Sequence, residues 1–231
     1  MKARALVLVA ALAAALGGSS SDAAPGIIVE DWSQDAAGAT GVPTGWSVYA
    51  TVGGRPRYDF AIVLDEGRKA LHMASRDDHS TIAKTVRVDL RTTPILEWSW
   101  KVVSLPAGAD IRRRERSDVT GHLFVIWPRM PSLLRSRLIG YIWDGLLPVG
   151  SIETSRKSRL VTFLVAHSGT TDLGCWVVER RNVYEDYRRV YGEDPDPTGA
   201  IALSIDTNDT HSTAAAFIGQ IAFLPASGSE R

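Results

Sequence analysis

Apolar and polar residues alternate along most of this chain, in short runs that end at glycine, proline, aspartate or asparagine. A period of two is typical of a β-strand with one buried face, and the intervening residues are those that form turns. No long helices alternate with these runs, so the sequence predicts an all-β fold, an antiparallel β-sandwich, and not a βαβ fold. The predicted strands are Ile27–Trp32, Trp46–Thr51, Tyr58–Leu64, Ala70–Ser75, Thr81–Val88, Ile95–Val103, His122–Trp127, Leu160–Ala166, Cys175–Glu179, Ala200–Ile205 and Ala215–Phe223.

Residues 179–197 are the exception to this pattern, because they carry ten charges and three tyrosines. Asn182 can cap a helix, with a glutamate three residues later, and Gly192 supplies a left-handed residue that ends one. The sequence therefore predicts one short helix over residues 183–191. Its apolar residues would lie on the sandwich, and its charged residues, Asp186 among them, would point to solvent.

The same charged segment has a second interpretation, as part of a ligand site. Arg181 is not required by the helix, and beside Tyr184 it would form a planar surface that hydrogen bonds and stacks. Such a surface suits a sugar or a carboxylate. The candidate ligand contacts in this segment are Arg181, Tyr184 and Asp186.

The first 23 residues have the pattern of a secretory signal peptide. A short basic start precedes twelve apolar residues, and Ser21-Asp22-Ala23 is an acceptable cleavage site. The apolar run is too short to cross a membrane as a helix. We therefore expect residues 24–231 to form one exported domain, periplasmic or secreted, with no transmembrane segment after the leader is removed.

Composition excludes several classes of function. The 26 Lys and Arg balance the 26 Asp and Glu, so there is no overall charge to attract nucleic acid or an anionic membrane. Cys175 is the single cysteine, which excludes an intramolecular disulfide, and its apolar neighbours predict a small buried residue. The five histidines lack the spacing of a zinc site, and no nucleophile elbow or P-loop is present.

Two tryptophans lie in register on one predicted strand. Leu96, Trp98, Trp100 and Val102 alternate with polar residues and so share a face. Apolar neighbours on the same face favour core packing, whereas two exposed indole rings would form a stacking platform for sugar rings. Both interpretations stay open at this point.

A charged loop follows that strand. Asp110 and Asp118 flank a run that contains four arginines, residues 111–117. The two carboxylates would either converge with arginines on a polar ligand or pair with the arginines in a solvated connection.

Asp206, Asn208 and Asp209 form a third polar group, between the last two predicted strands. Three oxygen-bearing side chains so close together would suit a hard cation such as Ca²⁺, although the EF-hand pattern is absent. The same residue types are also those of a tight turn. We therefore expect no obligatory cofactor, with Ca²⁺ as the candidate metal.

These segments, in this order, resemble an exported bacterial family known as domain of unknown function 3047. The resemblance extends from about Trp32 to Leu224, and it implies a jelly-roll-like β-sandwich, with no activity assigned to the family. Where paired aspartates are expected, this chain has Ser117 and Asp118, which would leave a metal or acid–base pair half complete. The matching segments are Leu96-Glu-Trp-Ser-Trp, Gly108-Ala-Asp110, Ser117-Asp118, Tyr141-Ile-Trp143, Pro148-Val-Gly150, Glu179-Arg-Arg-Asn-Val-Tyr-Glu-Asp-Tyr187, Gly192-Glu193 and Ser204-Ile-Asp-Thr-Asn208.

Three hypotheses for function follow. The first is an exported, non-catalytic binding protein for a saccharide or cell-envelope glycan, with aromatic rings on sugar C–H faces and charged side chains on hydroxyl groups. The second is a glycan hydrolase or lyase that uses two carboxylates in one cleft, at least one with a raised pKa. The third is a structural envelope protein whose charges hold the helix to the sheet. The carboxylates available to the second are Asp110, Asp118, Asp186 and Asp206.

Overall fold

Two β-sheets pack face to face in the computed structural model, which describes residues 25–49, 56–131 and 135–227. In spatial order, the first sheet contains β11 (Val177–Asn182), β6 (Ile95–Ser104), β13 (Thr213–Leu224), β4 (Arg68–Arg76) and β3 (Asp59–Asp65), with β1 (Ile27–Glu30) also paired to β13. The second contains β2 (Ser47–Val48), β5 (His79–Thr85), β12 (Ala200–Asp206), β7 (Thr120–Trp127), β8 (Arg137–Asp144), β10 (Val161–Ser168) and β9 (Ile152–Thr154). The predicted all-β sandwich is confirmed.

Strand β8 is absent from the sequence prediction, as is the short edge strand β9. β8 is buried on both faces over nearly its whole length. A strand of this kind has apolar residues at odd and even positions alike, so it lacks the alternation on which the prediction depends. β8 also departs from the antiparallel rule, since it runs parallel to β10.

Aromatic rings from both sheets fill the centre of the core. Trp98 and Trp100 of β6 are 1% and 0% exposed. Their ring centroids lie 5.4 Å from Tyr141 and 5.8 Å from Trp143 of β8, respectively. The two tryptophans therefore offer no face to a ligand in solvent, and core packing describes them rather than a stacking platform for sugars.

Helix α1 (Val183–Tyr191) has the predicted bounds and caps. The Asn182 side chain accepts a hydrogen bond from the Glu185 backbone N–H at 3.1 Å, and Gly192 ends the helix with φ 73°. Val183 and Tyr187 are fully buried against the sandwich. The helix thus covers one end of the core.

The predicted solvent position of Asp186 is wrong, because this carboxylate is only 6% exposed. Arg181, at the end of β11, donates from Nε and Nη2 to its two oxygens at 3.0 and 2.6 Å. The Tyr141 hydroxyl of the second sheet donates to the same carboxylate at 2.9 Å. The charged segment thus ties the helix to both sheets.

Cys175 is exposed in the turn before β11, contrary to the prediction of a buried residue. The valines that follow it belong to β11, which among the described strands pairs only with β6 and so lies at the edge of the first sheet. A residue next to an edge strand is less covered than one next to a central strand, so the apolar neighbours of Cys175 did not indicate burial.

The predicted leader, residues 1–23, lies outside the described residues. Across the part of the chain that the structure describes, no helix is long and apolar enough to cross a membrane.

Candidate functional site

A cleft of about 440 Å³ lies on the outer face of the second sheet, the face turned away from the core. We call it the sheet cleft. Its walls come from strands β5, β7, β8, β10 and β12, from the residue after β2, and from the loops before β7, before β10 and after β12. Its lining residues are Tyr49, His79, Thr81, Ser117, His122, Phe124, Leu138, Ser155, Lys157, Ser158, Val161, Phe163, Ala202, Ser204, Asp206, Asn208 and Asp209.

An apolar row crosses the floor of the sheet cleft. It consists of residues paired in register across five strands: Ala83, Ala202, Phe124, Gly140 and Phe163. A Cβ at Gly140 would lie 2.6 Å from Cε1 of Phe124 and 3.2 Å from Cδ1 of Phe163. Glycine at this position is therefore what allows the two phenyl rings to approach each other over β8, with centroids 6.3 Å apart.

A polar row runs beside the apolar one, two residues along each strand. Thr81, Ser204 and His122 are paired in register across β5, β12 and β7. The Thr81 and Ser204 hydroxyls lie 2.7 Å apart, and Thr81 Oγ1 lies 3.0 Å from His79 Nε2. The His122 Nδ1 lies 3.3 Å from the Ser204 carbonyl oxygen. These contacts hold the hydroxyl groups in fixed positions before any ligand arrives.

Three charged groups close one end of the sheet cleft. The Asp206 carboxylate lies 3.3 Å from His79 Nδ1 and 3.5 Å from Lys157 Nζ, and Lys157 also pairs with Asp209. Burial alone would raise the pKa of Asp206, but His79 and Lys157 lower it to about 2. Burial alone would lower the pKa of Lys157, but Asp206 and Asp209 raise it. The shifts of Asp206 and Lys157 both favour the charged form, so these two groups are ionised at neutral pH.

The calcium hypothesis for Asp206, Asn208 and Asp209 stays a prediction. All three line the sheet cleft, but the Lys157 ammonium group already lies between the two carboxylates. Over the described ranges, no group of three or more His, Cys, Asp or Glu side chains is arranged to hold a metal ion.

His122 is the most strongly perturbed base in the sheet cleft. It is 4% exposed, and its ring stacks on Phe124 with centroids 5.2 Å apart. Burial lowers the pKa of His122 to about 4, even though the nearby Asp206 charge opposes this shift. The imidazole is therefore neutral at physiological pH and behaves as a third ring of the aromatic floor.

Asp110 and Asp118 line a second cavity, of about 500 Å³, between residues 105–119 and residues 143–146. We call it the loop cleft. The Asp110 carboxylate accepts from Arg112 Nε and Nη2 at 2.8 and 3.0 Å, and this hydrogen bonding lowers the pKa of Asp110. Two of the four loop arginines, Arg112 and, at 3.7 Å, Arg113, thus pair with Asp110 within the loop.

Asp118 is 1% exposed, and the three hydrogen bonds that it accepts tie its loop to the turn after β12. Asp209 N–H donates to it at 3.1 Å, and the backbone and hydroxyl of Thr210 donate at 2.7 and 2.6 Å. Burial raises the pKa of Asp118, while the hydrogen bonds from Thr210 oppose this shift. The loop cleft therefore contains two carboxyl groups whose pKa values are shifted in opposite directions.

The sequence-predicted site residues do not form one site. Arg181 and Asp186 bind each other beneath α1, and Tyr184 lies half-buried on α1, where a hydrogen bond with Asp194 raises its pKa. Trp98 and Trp100 lie in the core. We therefore propose structural roles for these five, and only the predicted metal group lies in the sheet cleft.

Sequence reasoning missed the side chains that make the floor and the polar row of the sheet cleft. The sequence placed Phe124 and Phe163 in strands, but it did not indicate that their rings lie on the face of the second sheet that is turned away from the core. Thr81, His122 and Ser204 occupy outward positions of predicted strands as well. In the sequence, these side chains are visible only as polar residues at alternate positions of separate strands. They indicate a polar surface on one side of the sheet only when the order of the strands is known.

A family described as "Protein of unknown function (DUF3047)" matches residues 44–222. No curated protein matches the chain.

Several solved structures are similar over most of the chain. The xyloglucanase domain of NopAA, a type three effector from Sinorhizobium fredii, in complex with cellobiose, is 10% identical with a TM-score of 0.43, over 81% of this chain and 97% of that one. A family 30 carbohydrate-binding module of a Clostridium thermocellum cellulosomal cellulase is 10% identical with a TM-score of 0.45, over 88% and 99%. A structure from a comparison of family 12 glycoside hydrolases is 11% identical with a TM-score of 0.46, over 87% and 100%.

Proposed function

The chain belongs to the family described as protein of unknown function (DUF3047), and we propose that it binds a saccharide in the sheet cleft. The observation that carries this proposal is the pairing of an apolar row with a polar row on one outward face. A pyranose ring has the same division, with C–H groups on its faces and hydroxyl groups at its edge. The predicted leader makes an extracellular or cell-envelope glycan the expected source.

The floor of the sheet cleft supplies apolar contact for the sugar face. Phe124 is partly exposed there, and Tyr49, which is 46% exposed, stands at the rim. Aromatic side chains bury a large area with little conformational entropy to lose, which suits recognition of a flat ring.

The charged end supplies fixed hydrogen-bonding groups for hydroxyls. Lys157 donates, and Asp206 and Asp209 accept. The Oδ1 atom of Asn208 is buried and has no hydrogen-bond partner among the described residues. Because a buried unpaired acceptor is costly, a ligand hydroxyl that donates to it would gain affinity.

The protonation states of Asp206 and His122 in the sheet cleft favour ligand binding without catalysis. A glycosidase needs a carboxylic acid that keeps its proton near neutral pH. Asp206, with its pKa lowered to about 2, cannot supply one. His122, with its pKa lowered to about 4, is neutral and cannot supply a proton either.

Titration calorimetry of the chain against a panel of neutral and acidic oligosaccharides tests the proposal. We expect at least one to bind, and Phe124→Ala to weaken that binding by about tenfold or more through lost stacking and burial. Lys157→Met is expected to weaken it by a similar factor through a lost charged hydrogen bond.

Phe217→Ala is the matched control, because Phe217 is a half-buried phenylalanine on the outer face of the first sheet. It is expected to bind as the unaltered chain does. Equal loss in Phe124→Ala and Phe217→Ala would contradict the placement of the site. A panel in which nothing binds would favour the structural-protein hypothesis.

A carboxylate-dependent hydrolase or lyase is the second candidate, and the loop cleft is what favours it. Asp110 and Asp118 line that one cavity, and their pKa values are shifted apart, as acid–base pairs require. This candidate predicts release of reducing ends or unsaturated products from a glycan, lost in Asp118→Asn. Turnover that persists in that variant, or no turnover in the unaltered chain, would remove it.

A further inference from the structure

A small cavity of about 280 Å³ lies where the β7–β8 hairpin meets the C-terminal turn of α1 and the start of β10. We call it the arginine pocket. It shares no lining residue with the sheet cleft or the loop cleft. Its lining residues are Arg129, Arg135, Ser136, Arg137, Arg159, Leu160 and Tyr191.

Two of its four arginines are held in place by internal partners. Arg129 Nη2 donates to the Tyr187 hydroxyl at 3.0 Å, to Glu193 at 2.9 Å and to Asp196 at 3.0 Å. Arg137 Nη1 donates to the same Tyr187 hydroxyl and Glu193 carboxylate, each at 2.6 Å. These two guanidinium groups are therefore rigid.

The other two arginines have no carboxylate partner in the described ranges. Arg135 makes one long contact, 3.4 Å, from Nη1 to the Met130 carbonyl oxygen. Arg159 makes no hydrogen bond or ion pair with any described residue. Both are exposed. The pocket thus has four positive charges against the two carboxylates of Glu193 and Asp196.

A second, independent observation also indicates a ligand. The Arg129 Nε atom is buried, and no residue in the described part of the chain accepts its hydrogen. A buried N–H without an acceptor costs free energy, and an anion bound beside this guanidinium group would offset part of that cost through its charge. The Arg137 guanidinium, 4.4 Å from the Tyr191 ring centroid, is fixed by stacking beside it.

We propose that the arginine pocket binds an oxyanion: a phosphate, a sulfate or the carboxylate of an acidic sugar. Guanidinium groups present paired N–H donors whose geometry matches the oxygens of these groups, and several around one cavity would bind them more tightly than single surface charges. The rigid pair, Arg129 and Arg137, forms the base of the pocket, and Arg135 and Arg159 close over the anion. This site stands independently of saccharide binding in the sheet cleft.

Calorimetric titration of the full chain with inorganic phosphate, inorganic sulfate and glucuronate, at constant ionic strength in chloride, tests the proposal. At least one of the three is expected to bind. Arg159→Gln and Arg135→Gln are each expected to weaken that binding by about tenfold, as expected for one charged hydrogen bond. Because both arginines are exposed and make no ion pair with a described residue, neither substitution should affect folding.

Arg87→Gln is the control, since Arg87 is exposed and does not line the arginine pocket. It removes the same charge and is expected to bind as the unaltered chain does. Binding of phosphate or sulfate would identify a tetrahedral anion, and binding of glucuronate alone a sugar acid. No binding of any probe, or equal weakening in Arg87→Gln, would overturn the proposal. Oligosaccharide binding in the sheet cleft, measured separately with Phe124→Ala, is not changed by either result.

Discussion

Replacing Asp186 with alanine is expected to destabilise the protein by about 3–5 kcal/mol, the cost of breaking a buried ion pair from one side. The substitution would leave the half-buried Arg181 guanidinium without the carboxylate that it binds at two oxygens. It would also leave the buried Tyr141 hydroxyl without its acceptor. The loss is large because both partners remain in a place that water does not reach freely.

Thermal and denaturant unfolding would measure this effect. In a chain of this size the midpoint should fall by roughly 6–20 °C. Asp194→Ala is the matched control, because Asp194 follows the same helix, is exposed, and has partners on that helix alone, Arg188 at 3.4 Å and Tyr184, among the described residues. An exposed pair of that kind contributes less than about 1 kcal/mol. Equal destabilisation by the two substitutions would contradict the role that we assign to Asp186.

Acidification from pH 6.5 to 4.5 is expected to cost about 2 kcal/mol of stability through His122 alone. Burial lowers the pKa of His122 in the folded protein to about 4, against an unfolded value of 6.5. The unfolded chain therefore binds a proton in this range that the folded protein does not. The stabilising contribution of this group is complete above pH 6.5 and is lost progressively as pH falls towards 4.

His122→Phe removes the titrating group and keeps a ring against Phe124 and Phe163. The free energy of unfolding, measured by denaturant titration at several pH values, should therefore fall less steeply for this variant between pH 6.5 and 4.5. His211→Gln serves as the contrasting variant, because the hydrogen bond with Asp77 raises the pKa of the exposed His211. Its removal should leave the fall in stability on acidification as steep as before or steeper. The assignment fails if His122→Phe keeps the full pH dependence of the unaltered chain.

The sequence predicted the positions of the strands more accurately than it predicted which side of each strand is buried. Helix α1 was predicted with both caps because Asn182 and Gly192 act on their own segment. The alternation of apolar and polar residues placed Trp98 and Trp100 on one side of β6. The neighbouring residues in the sequence do not indicate whether that side faces the other sheet or the solvent. β8 was missed for the related reason that a strand buried on both faces has no alternation.

The candidate sites were harder to predict because their residues meet only through strand order. Phe124 and Phe163 are 39 positions apart, and they meet because Gly140 of β8 lies between them in register. Asp186 was assigned to the solvent side of α1 because helical periodicity cannot reveal a tyrosine from the opposite sheet. Short-range patterns therefore gave the helix and its caps, whereas burial of polar groups required the tertiary structure.

The position of β13 has a consequence for how the protein is made. β13, the last of the described strands, lies between β6 and β4 in the first sheet and also pairs with β1 near the start of the described chain. While the ribosome is still extending the chain, β6 and β4 have no partner between them, so the first sheet cannot close. Folding must then join segments far apart in sequence, which is typical of slowly folding β-proteins. Until residue 224 is free, Trp98 and Trp100 have only part of their surroundings, and the unfinished chain presents the apolar surface that chaperones recognise.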